Sequence, residues 1–254
     1  MQRLICSLAV GMLWVLGILS TEARAEFVIL SAVKDNTLYE SSTGALSNGA
    51  GDFLFSGRTD QTQGIAIRRG LVQFDLSSIP AGSTIDAVAL TLNMNRALVA
   101  GAVNVNLHRV SRDWGEGTVN AAGFEGGGAP ATPGDATWIH AVSPGTLWAT
   151  PGGDFIATVS ASRVLDPNGS YTWQSAGLSS DVTQWVNNPN ANFGWMIRGD
   201  ETAAGTAMRY NSRASSTTGP SLRVDFTAVP EPSSMSLGAA FAAIFFLVGR
   251  RRMR

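Results

Sequence analysis

The chain has 254 residues, 18 of them basic and 19 acidic, for a formal net charge of −1. That balance offers no basic face for nucleic acid and excludes it as a partner. The single cysteine, Cys6, excludes a disulfide framework, so stability must come from packing, bound ions or neighbours.

Residues 1–25 read as a signal peptide. Arg3 supplies a positive start, Leu4 to Leu19 is apolar, and Ala23-Arg24-Ala25 places small residues at both positions a signal peptidase reads. Cys6 falls inside this leader, so the mature chain, beginning near Glu26, carries no thiol.

Residues 26–228 are long enough for one domain with a sizeable core. Between residues 26 and 229 there are 12 basic and 17 acidic residues, so the near-neutral total conceals an acidic domain of balance −5. Taken in chain order, Leu71 to Leu76 is a short apolar run with strand character. In the next segment Val88, Leu90, Leu92 and Met94 alternate with Ala89, Thr91 and Asn93. Val103, Val105 and Leu107 then alternate with Asn104, Asn106 and His108. Period two means strands with one buried face, and it places His108 on the exposed side.

Phe155 to Val159 predicts a further strand. A two-turn helix follows, capped by Ser180 or Asp181, with Val182, Trp185 and Val186 on one face and Asn187-Asn188-Pro189 as its stop. Phe193 to Arg198 is apolar on both faces and predicts a central strand. Leu222, Val224 and Phe226 mark the last strand, and turn clusters such as Pro80-Ala81-Gly82-Ser83, Gly126-Gly127-Gly128 and Asp166-Pro167-Asn168-Gly169 separate the runs. No 20 to 50 residue repeat is visible, which disfavours a solenoid or propeller. The expected fold is all-β, an antiparallel jelly-roll-like β-sandwich, flanked by an N-terminal signal helix and a short C-terminal transmembrane helix.

Residues 229–254 contain Val229-Pro230-Glu231-Pro232-Ser233, an apolar run from Met235 to Val248, and then Arg250, Arg251, Arg252 and Arg254. Fourteen residues make about 21 Å of helix against a hydrocarbon core of about 30 Å. Arginine stems that snorkel to the interface make a strained, transient span feasible, and the positive end places the preceding domain outside the cytoplasm. In the order of its three parts the tail resembles the sorting signal of PEP-CTERM proteins of Gram-negative bacteria. That resemblance implies signal peptidase and an exosortase as processing partners, a stage of inner-membrane anchoring, and delivery to the outer surface or extracellular matrix.

A second resemblance spans roughly residues 33–228. Asp35-Asn36-Thr37-Leu38-Tyr39-Glu40 is similar to the DNRLRE signature of a bacterial and archaeal extracellular domain, with Thr37 and Tyr39 in place of its two arginines. Arg69-Gly70-Leu71-Val72-Gln73-Phe74-Asp75-Leu76-Ser77-Ser78-Ile79-Pro80 resembles a second block. Further blocks resemble Asp113 to Val119, Asp135 to Trp138, Asp181 to Val186 and Tyr210 to Arg213. The resemblance implies a β-sandwich akin to carbohydrate-binding modules and disaggregatase-related repeats.

Sugar binding requires aromatic faces beside polar groups. Trp185 and Trp195 lie in periodic apolar contexts and are assigned to the core. Trp114, Trp138 with His140, and Trp148 lie in loop-rich sequence and are the expected ligand-binding residues. A structural calcium is the one cofactor the sequence admits, with Asp35, Asn36, Glu40, Asp52 and Asp225 as hard oxygen donors. No G-x-S-x-G, H-E-x-x-H or P-loop occurs, so the expected role is non-enzymatic polysaccharide binding at the cell surface. The alternatives are a secreted lyase or hydrolase using Arg112, Asp113 and Glu116, and a self-associating structural matrix protein.

Overall fold

The computed structural model describes residues 24–98, 101–166 and 168–229. The leader, and the tail with Pro230, Glu231, Pro232, Arg250, Arg251 and Arg252, lie outside the described residues. Fourteen strands follow in chain order: β1 (Ala25–Tyr39), β2 (Leu46–Ser47), β3 (Phe53–Arg58), β4 (Ile67–Phe74), β5 (Thr84–Ala97), β6 (Val103–Val110), β7 (Ala129–Pro130), β8 (His140–Val142), β9 (Thr146–Leu147), β10 (Phe155–Leu165), β11 (Gly169–Gln174), β12 (Trp195–Arg198), β13 (Met208–Asn211) and β14 (Ser221–Thr227). A helix, α1 (Ala176–Asn187), lies between β11 and β12. The fold is all-β, and every strand pairing described is antiparallel.

One long strand closes the main ladder. β1 pairs with β14 through Ala25 to Ser31, then with β4 through Ala32 to Tyr39. A bulge between Ala32 and Lys34 follows at once on the change of partner, and its extra residue bends the strand and increases its twist. The ladder therefore runs β1-β14-β5-β13-β3-β4 and returns to β1 as a barrel, with β12, β6 and β10 continuing from β4 and β11 added to β5. β2 pairs with β7 and β8 with β9 as two small separate ladders.

The alternation seen in the sequence fills this barrel. Val88, Leu90, Leu92 and Met94 of β5 meet Val103, Val105 and Leu107 of β6 and Leu222, Val224 and Phe226 of β14 in one cluster. Trp185 and Trp195 cross edge to face in it, ring centres 4.6 Å apart. Each such side chain, fully buried, contributes roughly 1.5 to 3 kcal/mol.

The helix is longer than its sequence signal and begins earlier. Ser175, not Ser180 or Asp181, is the N-cap, its hydroxyl accepting from the Leu178 amide at 3.1 Å. Leu178 thereby joins Val182, Trp185 and Val186 on the buried face. Asp181 is buried within the helix and accepts from the Trp195 indole at 2.8 Å and the Ser160 hydroxyl at 2.5 Å.

β12 is central, lying between β4 and β6 as its two-sided apolarity requires. Trp195 and Ile197 face the barrel core, whereas Met196 faces away. A second cluster forms on that outer side, where Leu38, Leu71 and Met196 are covered by Trp114, Ala136, Trp138, Ala141 and Trp148. The covering residues belong to the long connection 111–154 between β6 and β10, which works as a cap on the sheet. The outer side is consequently not solvent, and this overturns the expectation for His108. It is buried, with Nδ1 3.1 Å from the Ile156 carbonyl and its ring edge-on to Phe155, and burial lowers its pKa.

Candidate functional site

The tryptophans expected to carry a ligand are packing residues. Trp114 is 1% exposed, Trp148 4% and Trp138 9%. Trp114 donates to the Phe193 carbonyl and Trp148 to that of Thr137, both at 2.9 Å. Trp138 lies under the Arg69 guanidinium, 4.9 Å from ring centre, and Arg69 is itself clamped bidentately by Glu201 at 2.7 and 2.8 Å. His140 is half-buried and tied to the Thr137 hydroxyl. Loop composition suggested exposure here, but the loop folds onto the outer apolar face of β4 and β12, and the rings are what it covers that face with. None of the three offers a free stacking face.

The acids and arginine of the catalytic alternative do not converge. Asp113 pairs with Lys34 at 3.0 Å, Arg112 with Asp154 at 3.3 Å, and Glu116 is gripped bidentately by Arg213. The five calcium candidates likewise do not gather as one site. Asn36 is a buried hub that donates to the Ser47 hydroxyl and the Glu116 carbonyl and accepts from the Thr37 and Asn48 amides. Glu40 accepts from the amides of Ala66 and Ile67, and Asp225 pairs with Arg223. Asp52 is exposed, and its amide rather than its carboxylate joins the network. Asp35 is buried, its Oδ2 accepting from the Arg213 amide while Oδ1 has no partner. Burial first, and then the Glu116 charge, push its carboxyl up to about 7 against the Arg213 amide. Among the described residues no three acidic, histidine or cysteine side chains gather as a metal site.

A different face carries like charges without an ion pair among the described residues. Arg96 of β5 and Arg209 of β13 are direct cross-strand partners. Like charges placed directly opposite destabilise a sheet, so such a pair ordinarily has acids beside it. Here neither arginine makes an ion pair among the described residues, although Lys34, Arg69, Arg109, Arg112, Arg198, Arg213 and Arg223 all do. Arg209 bonds only an amide oxygen, Asn95 Oδ1 at 2.7 Å, and lies over Phe53 at 3.8 Å. Its pKa is lowered, by burial and then by the Arg96 charge, with Glu125 opposing.

Both arginines line a pocket of about 230 Å³ together with Arg68. Arg68 is 3% exposed and has no carboxylate partner; its donors go to the carbonyls of Gly126, Ile65 and Ile67 and to Gln61 Oε1, all near 3 Å. The apolar walls are Phe55, Leu98, Phe124 and Met208. Phe124 is 75% exposed, the highest value among the large apolar side chains described, with Arg96 5.0 Å from its ring centre.

The loop that presents Phe124 is held firmly. Glu125 adopts φ +57°, left-handed backbone that a non-glycine residue takes only when its surroundings impose it. Its buried carboxylate accepts from Asn48 Nδ2 and from the amides of Asp52 and Phe53 at 2.8 to 3.0 Å. The Tyr39 hydroxyl donates to its carbonyl at 2.9 Å. Gly128, at φ +67°, lets the loop pass the Tyr39 ring, which a Cβ there would meet at 3.0 Å. Phe124 is thus both exposed and fixed in position by the loop that carries it.

Sequence reasoning missed this site because its residues stand at positions 68, 96, 124 and 209, in no shared motif. One local signal existed: Gly123-Phe124-Glu125-Gly126-Gly127-Gly128 sets an aromatic side chain in a glycine loop too short to bury it. No protein-family model matches the chain, and no curated protein matches it.

Proposed function

We propose that this is an exported cell-surface or matrix protein that holds polysaccharide without turning it over. In this reading the ladders joined by β1 are the two layers of a jelly-roll sandwich, and residues 26–228 are a DNRLRE-type binding domain. The tail is a PEP-CTERM-type signal, anchored in the inner membrane only until an exosortase acts on it. The observation that carries the binding function is the cross-strand pair Arg96 and Arg209, left without an ion pair among the described residues beneath an exposed Phe124. A fold retains an unfavourable like-charge pair where a ligand supplies the missing anion. The separate ion pairs of Asp113, Arg112 and Glu116 favour binding over hydrolysis or elimination.

The test is affinity electrophoresis of the full chain through gels containing matrix polysaccharides, with the sugar assayed afterwards for new reducing or unsaturated ends. Retardation without new ends is the expected result. Migration unaffected by every polysaccharide, or release of products, overturns the reading.

A further inference from the structure

The pocket beneath Phe124 has a chemistry narrower than polysaccharide in general. Its lining side chains are arginines, apolar groups and one threonine, with no carboxylate or amide among the described residues. Three acceptors at its wall each already accept one bond: the Gly126 carbonyl from Arg68 Nε, the Ala207 carbonyl from the Leu98 amide, and Thr59 Oγ1 from the Gln61 amide. Donors remain, since Arg96 makes no hydrogen bond among the described residues and only Nε of Arg209 is used. A pyranose face needs acceptors as well as donors, because each of its hydroxyls carries a proton to place. A hydroxyl against Met208 would meet no polar partner on that wall.

A volume of about 230 Å³ falls below the usual range for whole drug-sized ligands. It accommodates one substituent rather than a run of rings. Arginine pairs carboxylates bidentately, and the apolar walls call for carbon rather than hydroxyl on the other side of the anion.

Building on the polysaccharide reading, we propose that this pocket recognises a carboxylate borne on a small apolar body, of the kind a pyruvate ketal or lactyl ether adds to a sugar chain. Arg96 and Arg209 take the carboxylate from two sides, and Phe124, Leu98 and Met208 take the methyl-bearing carbon. Arg68 contributes charge from below, its N–H groups being largely held by the carbonyls of Gly126, Ile65 and Ile67 and by Gln61.

The full chain is run through gels of three polymers: xanthan carrying its pyruvate ketals, the same xanthan after mild acid has removed them while its uronates remain, and alginate, which is uronate alone. Pyruvylated xanthan is expected to retard the protein at least tenfold more strongly than the other two. Arg96→Gln and Phe124→Ala each lower that retardation about tenfold. Arg96→Gln relieves a like-charge pair, so its melting temperature stays at or above that of the parent and loss of fold is excluded as the cause. Free hexanoate, a carboxylate on an apolar body without sugar, is added as competitor and is expected to release the protein from xanthan. Equal retardation by depyruvylated xanthan or by alginate overturns the ligand class while leaving polysaccharide binding intact. Hexanoate binding measured by calorimetry, with no polymer retarding the chain, overturns the polysaccharide reading and supports the pocket chemistry. Failure of hexanoate and all three polymers overturns both.

Discussion

Two regions of this protein place arginine against aromatic rings, and they differ in what neutralises the arginine. In the cap over β4 and β12, Arg69 lies on Trp138 and Arg198 on Phe155, and Glu201 bonds both guanidinium groups. Charge, hydrogen bonds and apolar area are all satisfied internally, so the cap offers a ligand little. Beneath the Phe124 loop, Arg96 and Arg209 face each other without an ion pair among the described residues, and the ring above is in solvent. Aromatic content alone therefore does not mark a binding face; residual charge beside an exposed ring does.

The largest expected effect breaks the cap. Trp114→Ala leaves a cavity among Leu38, Leu71 and Met196 and costs about 4 kcal/mol, measured by urea unfolding, while ligand retention persists under conditions where the variant is folded. Glu201→Gln comes next, at about 3 kcal/mol, because two partly buried arginines lose their carboxylate. Burial raises the Glu201 pKa, but its bonds to Arg69 and Arg198 prevail and hold it below the ordinary value. The stability it supplies is therefore present at neutral pH and disappears on acidification, and the variant lacks that acid loss.

Asp35 has the opposite sign. Its carboxyl moves from 3.8 to about 7 on folding, so between those values the folded domain holds a proton that the unfolded chain has released. Stability then falls by up to about 4 kcal/mol as pH rises from about 4 to about 7, and levels off above that. Asp35→Asn removes this slope and adds about 2 kcal/mol above pH 7, the amide still lacking a partner at the orphaned Oδ1 position. Unfolding midpoints across pH 4 to 8 check Asp35, and continuing them down to about pH 2 checks Glu201. Smallest in stability, and sharpest for the comparison, is Phe124→Ala: a side chain so exposed changes the unfolding free energy by less than about 0.5 kcal/mol, yet ligand retention falls about tenfold.

The barrel core was legible because period two is a local signal. Val88 to Met94, Val103 to Leu107 and Leu222 to Phe226 each bury the residues their alternation selects, and the two-faced run around Trp195 proved central. Closure was not legible, since it depends on β1 leaving β14 for β4 between Ser31 and Ala32, within one unbroken strand. The fate of the loop tryptophans was hidden for a related reason. Whether a ring in irregular sequence meets solvent depends on whether the sheet beneath has a bare apolar face, and Leu38, Leu71 and Met196 provide one only after β1, β4 and β12 have come together. Arg96 and Arg209 read as ordinary outward strand residues until the register sets them opposite each other across 113 positions of sequence.

Hydrogen–deuterium exchange of the full chain with and without pyruvylated xanthan tests the placement of the ligand face most directly. The account predicts slowed exchange in residues 121–128 and around Arg96 and Arg209, with residues 138–154 unchanged. Protection confined to 138–154 would contradict it and return the ligand to the tryptophan cap.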